Sequence, residues 1–192
     1  INASSGVVTV AGGLDRESAA SHGMVGRASW AGGGSSTQAF TVVLSDVDEF
    51  DVGAISDANA AADSVAENAA AGTLVGITAS ASDGDATTNA ITYSLDNDAG
   101  GRFAINAASG VVTVAGALDR EAAASHGIVV RATSADGSSS TQAFTVNVTD
   151  VDEFNVGTIS DTDAAADSVA ENAAAGTLVG ITASASDGDA TT

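Results

Sequence analysis

Two stretches of this chain set an acid, an arginine and a second acid in a row: LDRE at Leu14–Glu17 and again, 104 positions on, at Leu118–Glu121. Carboxylates so close repel one another unless a cation offsets the charge. Side-chain cations are too few to do this throughout, with 25 Asp and Glu against five arginines and no lysine, for a formal charge of −20. The other short acidic motifs also come in pairs: SDVDE (Ser45–Glu49) with TDVDE (Thr149–Glu153), VAEN (Val65–Asn68) with Val169–Asn172, and SDGD (Ser82–Asp85) with Ser186–Asp189. Clustered carboxylates suit a hard divalent cation, since Ca²⁺ takes about 6–8 oxygen ligands. Nothing comparable points to catalysis. His22 has Asp15 and Ser21 nearby, but nothing in their order or spacing makes a triad. His22 and His126 read as half-buried residues at strand starts, and no enzyme is expected.

The rest of the composition narrows the class. So acidic a surface repels nucleic acid and anionic membrane. No run of 18 apolar residues is present to insert into a bilayer. The chain is nonetheless 44% hydrophobic, too apolar for a disordered acidic tail. The absence of cysteine removes disulfides and thiol chemistry and leaves the compartment open. The chain starts INASSG without Met, so any targeting segment there is would lie upstream.

Residues 1–88 lie on residues 105–192 without a gap, and 72 of those 88 positions are identical. A period of 104 residues is the size of a whole domain. The boundaries expected are 1–50 for the C-terminal half of one repeat, 51–154 for a complete repeat, and 155–192 for the N-terminal part of the next. Within the repeat the apolar period is two. Val75, Ile77, Ala79 and Ala81 alternate in Thr73–Ser82. Ile91, Tyr93 and Leu95 share a face, as do Phe103 and Ile105, and Phe144, Val146 and Val148. With Gly110–Gly116, His126–Thr133 and a first segment of the FNVGTIS type, about seven strands are expected. The fold class is all-β, an immunoglobulin-like Greek-key β-sandwich in tandem array. DSVAENAAAG also reads as a short helix, because Ala and Glu favour one, but Gly72 and the following strand leave little room.

Taken in order, VAEN, ASDGD (Ala81–Asp85), ITYSL (Ile91–Leu95), FAINAASGVVTVAGALDRE (Phe103–Glu121), IVVRAT (Ile128–Thr133) and VNVTDVDEF (Val146–Phe154) resemble a cadherin-type repeat of large bacterial surface proteins. The resemblance implies Ca²⁺ at the joint between consecutive repeats. At the joint after the complete repeat it implies Glu67, Asp119, Glu121, Asp150, Asp152 and Glu153 from one side and Asp187 and Asp189 from the other. At the preceding joint it implies Asp15, Glu17, Asp46, Asp48, Glu49, Asp83 and Asp85, and the VAEN glutamate of that repeat would lie before residue 1. Arg120 would point away from its two acidic neighbours. The linker DVDEFNV departs from the family's D-x-N-D-N-x-P, with Asp152, Glu153 and Phe154 in place of Asn, Asp and Asn. Ser134 and Trp30 stand where the family often has Asp, and Asp136 comes two residues late.

The function this implies is a calcium-stiffened extracellular or cell-surface repeat of a bacterial adhesin stalk or filament. Its partners would be neighbouring repeats of the same or an identical chain. The alternative is a homophilic or carbohydrate-binding module. Head-to-tail self-assembly is a further expectation, with Glu171 completing the preceding joint from a second copy. SDTDAAAD (Ser160–Asp167) reads as a solvated turn. Trp30 is expected to pack locally, near Gly26, and Asn147-Val148-Thr149 is a glycosylation sequon inside an expected strand.

Overall fold

The computed structural model describes residues 1–189, and its regular elements are all strands. The central part is a sandwich of two four-stranded sheets. One has the order β3 (Ser56–Asp57), β5 (Leu74–Ser80), β8 (Val111–Val114), β7 (Phe103–Ile105). The other has the order β4 (Ser64–Ala66), β10 (Ser139–Thr149), β9 (Ser125–Ser134), β6 (Ile91–Asn97). Before it lies a lone antiparallel pair, β1 (Ser21–Ser29) with β2 (Ser35–Val43). After it β11 (Ser160–Asp161) pairs with β12 (Ala183–Ser184).

The β-branched residues set the strands, because alternate side chains of an extended chain face one side and bury together. Val75, Ile77, Val112 and Val114 of the first sheet meet Ile128, Val130, Val146 and Val148 of the second. The alternations expected in β5, β7 and β10 face this core, as does the Ile91, Tyr93, Leu95 face of β6. Gly76 sits at an irregularity in β5 with φ 91°, and a Cβ there would lie 2.1 Å from Ala62 O, so only glycine fits.

DSVAENAAAG is not a helix. Ser64–Ala66 adds a short strand, parallel to β10. Burial of Val65 in the core and pairing along β10 outweigh the modest helix preference of Ala and Glu. The acidic loops do more than face solvent. Asp57 Oδ1 accepts the Asn59 and Thr78 N–H groups, both at 2.9 Å. Asp161 Oδ1 repeats this with Asp163 N–H at 3.0 Å and Thr182 N–H at 2.8 Å.

Residues 60–85 and 164–189 are identical in sequence but not in structure. Ile77 is 1% exposed and Ile181 is 57% exposed. We predict that Ile77→Ala costs about 2–5 kcal/mol in urea unfolding, as for other buried Ile truncations.

Candidate metal centre

The carboxylates gather where the chain enters and leaves the sandwich. At the entry, Asp85 is buried and holds the linker by both oxygens. The Glu49 N–H donates to its Oδ1 at 3.1 Å and the Phe50 N–H to its Oδ2 at 3.3 Å. Glu17 Oε1 accepts the Ala86 N–H at 3.1 Å. Asp46 accepts the Thr87 N–H at 3.0 Å, and its hydroxyl as well. Two carboxylate triads share Asp85: Glu17, Glu49, Asp85 and Asp48, Asp85, Asp136, each with one oxygen per residue inside a 4.8 Å span.

At the exit, buried Glu67 accepts the Arg120 N–H at 2.6 Å and the Val151 N–H at 2.8 Å. It forms a third such triad with Asp119 and Glu121. Asp189 copies Asp85, accepting the N–H groups of Glu153 and Phe154, each at 3.1 Å. Asn68 donates from its side chain to Glu153.

Crowding shows in the protonation preferences. Burial, then the charges of Glu17 and Asp85, raise the pKa of Glu49. Burial and then Asp136 raise Asp48. The hydrogen bond to Asp189, then its charge, raise Asp152. Each of these groups resists its own ionised form, a tendency that a cation set among them would reverse. The donors are all hard oxygens, and Asp83 spends Oδ1 on the Asp85 N–H at 3.1 Å while its buried Oδ2 has no hydrogen-bond partner. The residues present therefore fit Ca²⁺.

Residues 63–149, which run from β4 through β10, match the Cadherin domain family. The sandwich has the cadherin fold. Mouse cadherin-23 EC22-24 superposes with a TM-score of 0.69 at 26% identity, over 92% of this chain and 56% of that one. Protocadherin Gamma B2 extracellular cadherin domains 3-6 gives a TM-score of 0.68 at 26% identity, over 93% of this chain and 45% of that one. In sequence, Cadherin EGF LAG seven-pass G-type receptor 1 of Mus musculus is 37% identical over 142 residues, 69% of this chain and 4% of that protein. Protein dachsous of Drosophila melanogaster is 42% identical over 96 residues, 47% of this chain and 3% of that protein. This chain thus spans a small fraction of either relative. Both are animal proteins, which lends no support to a bacterial source.

On the cadherin fold the expected acids separate into two sets. Glu17, Glu49, Asp85, Asp48, Glu67, Asp119 and Glu121 fall into the triads. Asp15, Asp46, Asp83, Asp150, Asp152, Glu153, Glu171, Asp187 and Asp189 stand outside them among the described residues. Asp15 instead binds the Ser18 N–H and hydroxyl, at 3.0 and 2.8 Å. Asp187 accepts the Asp189 N–H at 3.3 Å. Arg16 turns back on the linker, donating to Leu44 O at 2.6 Å and lying 3.6 Å from Asp46 Oδ1, where a cation would compete with it.

Two features escaped the sequence. Asp136 reaches the entry cluster although it stands two residues past the family's position. Its signal was the acid-glycine pair of SADGS, an acid at a loop turn. The second is the linker aromatic. Phe50 lies over Gly84 and Phe154 over Gly188; a Cβ on Gly84 would come within 2.9 Å of Phe50 Cγ. Gly84→Ala should therefore push Phe50 aside and cost about 1 kcal/mol in a urea melt, the low end for overpacking because half-exposed Phe50 can yield.

Trp30 does pack locally, but on Gly32 and Gly34, where a Cβ would lie 2.3 and 2.6 Å from its ring, and the side chain is otherwise exposed. The ring near Gly26 is that of Phe40, 3.1 Å from a Cβ there. His126 is half-buried against Phe103, ring centroids 6.0 Å apart, and burial and then Arg102 lower its pKa. His22 is exposed, because no second sheet covers β1 and β2. No helix among the described residues is long and apolar enough to cross a membrane.

Proposed function

We propose that this chain is a stretch of an extracellular, adhesion-type cadherin array whose repeats meet near residues 50 and 154 and are stiffened there by Ca²⁺. The reading is of a non-catalytic structural module, part of an extended stalk or filament. It rests above all on Asp85, a buried carboxylate that ties the linker backbone to the sandwich and belongs to two carboxylate triads at once.

At the entry joint the proposed ligands are Glu17, Asp48, Glu49, Asp85 and Asp136, with Asp15, Asp46 and Asp83 beside them. At the exit joint they are Glu67, Asp119 and Glu121, with Asp150, Asp152 and Glu153 from the linker and Asp187 and Asp189 from the following repeat. Glu171 belongs to the corresponding position of the following repeat. Bound Ca²⁺ would supply positive charge that all these oxygens share.

The chain's own part is positional. Asp85 and Glu67 are held by backbone N–H groups, so their carboxylates are fixed before any cation arrives. Glu17, Asp46 and the linker acids hydrogen-bond across the joint or stand beside it. Left to themselves these acids repel, and the joint can open to separate them. Neutralised, they hold neighbouring units at one angle.

Small-angle scattering with and without Ca²⁺, alongside direct calorimetric titration, tests this. The expected result is saturable binding and a longer, narrower distribution of shapes in Ca²⁺. No heat of binding at millimolar Ca²⁺, with identical scattering curves, would remove the reading.

A further inference from the structure

The glycine of each SDGD loop answers to an aromatic ring and not to its own backbone. Neither Gly84 nor Gly188 has a positive φ, so the backbone at both positions admits other residues. What excludes a side chain is the linker phenylalanine. A Cβ on Gly84 would lie 2.9 Å from Phe50 Cγ and 3.2 Å from its Cδ1. A Cβ on Gly188 would lie 3.0 and 3.3 Å from the same atoms of Phe154. A phenylalanine offers no oxygen to a cation, so its place at a joint full of acids is a packing role.

The contact falls within a run of hydrogen bonds between the linker and that loop. Across Gly84, Asp83 Oδ1 accepts the Asp85 N–H at 3.1 Å. The Asp85 carboxylate in turn accepts the N–H groups of Glu49 and Phe50, at 3.1 and 3.3 Å. Further along, the Gly53 N–H donates to Ser82 O at 2.8 Å. The exit joint repeats the pattern, with Glu153 and Phe154 donating to Asp189 and Gly157 donating to Ser186 O at 2.8 Å.

We propose that the linker phenylalanine is a cation-independent latch: its ring, seated on the loop glycine, fastens the linker to the repeat that follows. The linker from Glu49 onward then moves with the complete repeat, and a joint without metal bends upstream of that residue. Phe154 does the same from Glu153 onward.

The hydrogen bonds alone would hold the linker weakly. Each contributes little once exchange with water is counted. The loop also sets a glycine between two acids, and glycine loses more freedom on ordering than any other residue. The ring opposes both effects, because it leaves water only when linker and loop lie together. Phe50 is 49% exposed and Phe154 52%, so each ring is partly withdrawn from solvent. Being apolar, this tie does not weaken when the charge around it changes.

A cation would be a second tie between the same two segments. The triad Glu17, Glu49, Asp85 takes Glu49 from the linker and Asp85 from the loop. That second tie rests on the calcium reading above; the ring's does not.

Amide hydrogen exchange of the whole chain in chelator tests the latch. The wild type should protect the Glu49, Phe50 and Gly53 amides with no metal present. Phe50→Ala should lower that protection about tenfold, less than for a fully buried ring because half of it is already in water. Phe50→Tyr, which keeps the ring, should match wild type. Gly84→Ala, which lifts the ring, should lower protection about fivefold in the native background, and within about twofold not at all when combined with Phe50→Ala. The Val112 and Val130 amides in the core, and those of Glu153 and Phe154 at the other joint, should stay as in wild type throughout.

Wild-type linker amides that exchange freely in chelator would overturn the proposal. So would unchanged protection in Phe50→Ala, loss in Phe50→Tyr equal to that in Phe50→Ala, an equal loss at the core amides, or costs of Phe50→Ala and Gly84→Ala that simply add. Repeating the exchange of Phe50→Ala in saturating Ca²⁺ separates the two readings. Recovered protection at Glu49 and residue 50 supports both ties. No recovery, with the chelator results as expected, upholds the latch and removes the calcium reading at this joint.

Discussion

Transfer of the native chain from saturating Ca²⁺ into chelator is expected to lower its melting temperature by roughly 10–20 °C for each occupied site lost. A ligand that binds only the folded state stabilises it by about 2.7 kcal/mol at a hundredfold excess over its dissociation constant. In a domain of about 100 residues each kcal/mol moves the midpoint by roughly 4–8 °C. The sign follows from the charge: 25 acids against five arginines leave the triads Glu17, Glu49, Asp85 and Glu67, Asp119, Glu121 without enough protein cations to neutralise them. Differential scanning calorimetry in Ca²⁺, in chelator, and in chelator with high NaCl checks it. Salt should recover only a little of the loss, because screening weakens exposed charge pairs and a general ionic atmosphere does not bridge carboxylates. A midpoint indifferent to chelator would contradict the prediction.

Glu67→Ala is expected to cost about 2–4 kcal/mol of stability even in chelator, where no cation contributes. Glu67 is 3% exposed, and its two oxygens accept the Arg120 and Val151 N–H groups. Removing the carboxylate strands both donors, at about 1–3 kcal/mol each where water cannot reach. An opposing effect exists, since the substitution relieves repulsion from Asp119 and Glu121. Those two are exposed, and exposed charge pairs are worth about 1 kcal/mol or less, so the lost hydrogen bonds win. A calcium titration of Glu67→Ala should also show weaker binding at the exit joint. A urea midpoint equal to that of wild type would mean that the Glu67 hydrogen bonds contribute nothing to stability.

Much of the fold could be read from alternation alone. The faces of β5 and β10 follow from Val75-Ile77-Ala79 and Phe144-Val146-Val148, because a two-residue period has only one way to bury its apolar side against a second sheet. β4 could not be read that way. Three residues are too few for a period, and Ser64–Ala66 is a strand only because β10 runs beside it. The paired recurrence of the acids marked the candidate centre, while its membership was a matter of geometry. Asp136 joins Asp48 and Asp85 because the β9–β10 turn carries it there, at a spacing no linear motif prescribes. Asp46, at an expected ligand position, instead divides its oxygens between Arg16 and Thr87.

By itself the sequence determined which residues can pair, which face of each strand is apolar and which acids cluster near LDRE and the linkers, since these are local consequences of side-chain type and period. Whether a strand forms at all was decided only by tertiary structure. GVVTVAG at 110–116 holds β8 (Val111–Val114), between β5 and β7, and the same heptad at 6–12 forms no strand and has no strand paired with it among the described residues. A lone extended segment leaves its backbone N–H and C=O groups to water and gains little by ordering. A neighbouring strand supplies both their hydrogen bonds and the burial of the valines.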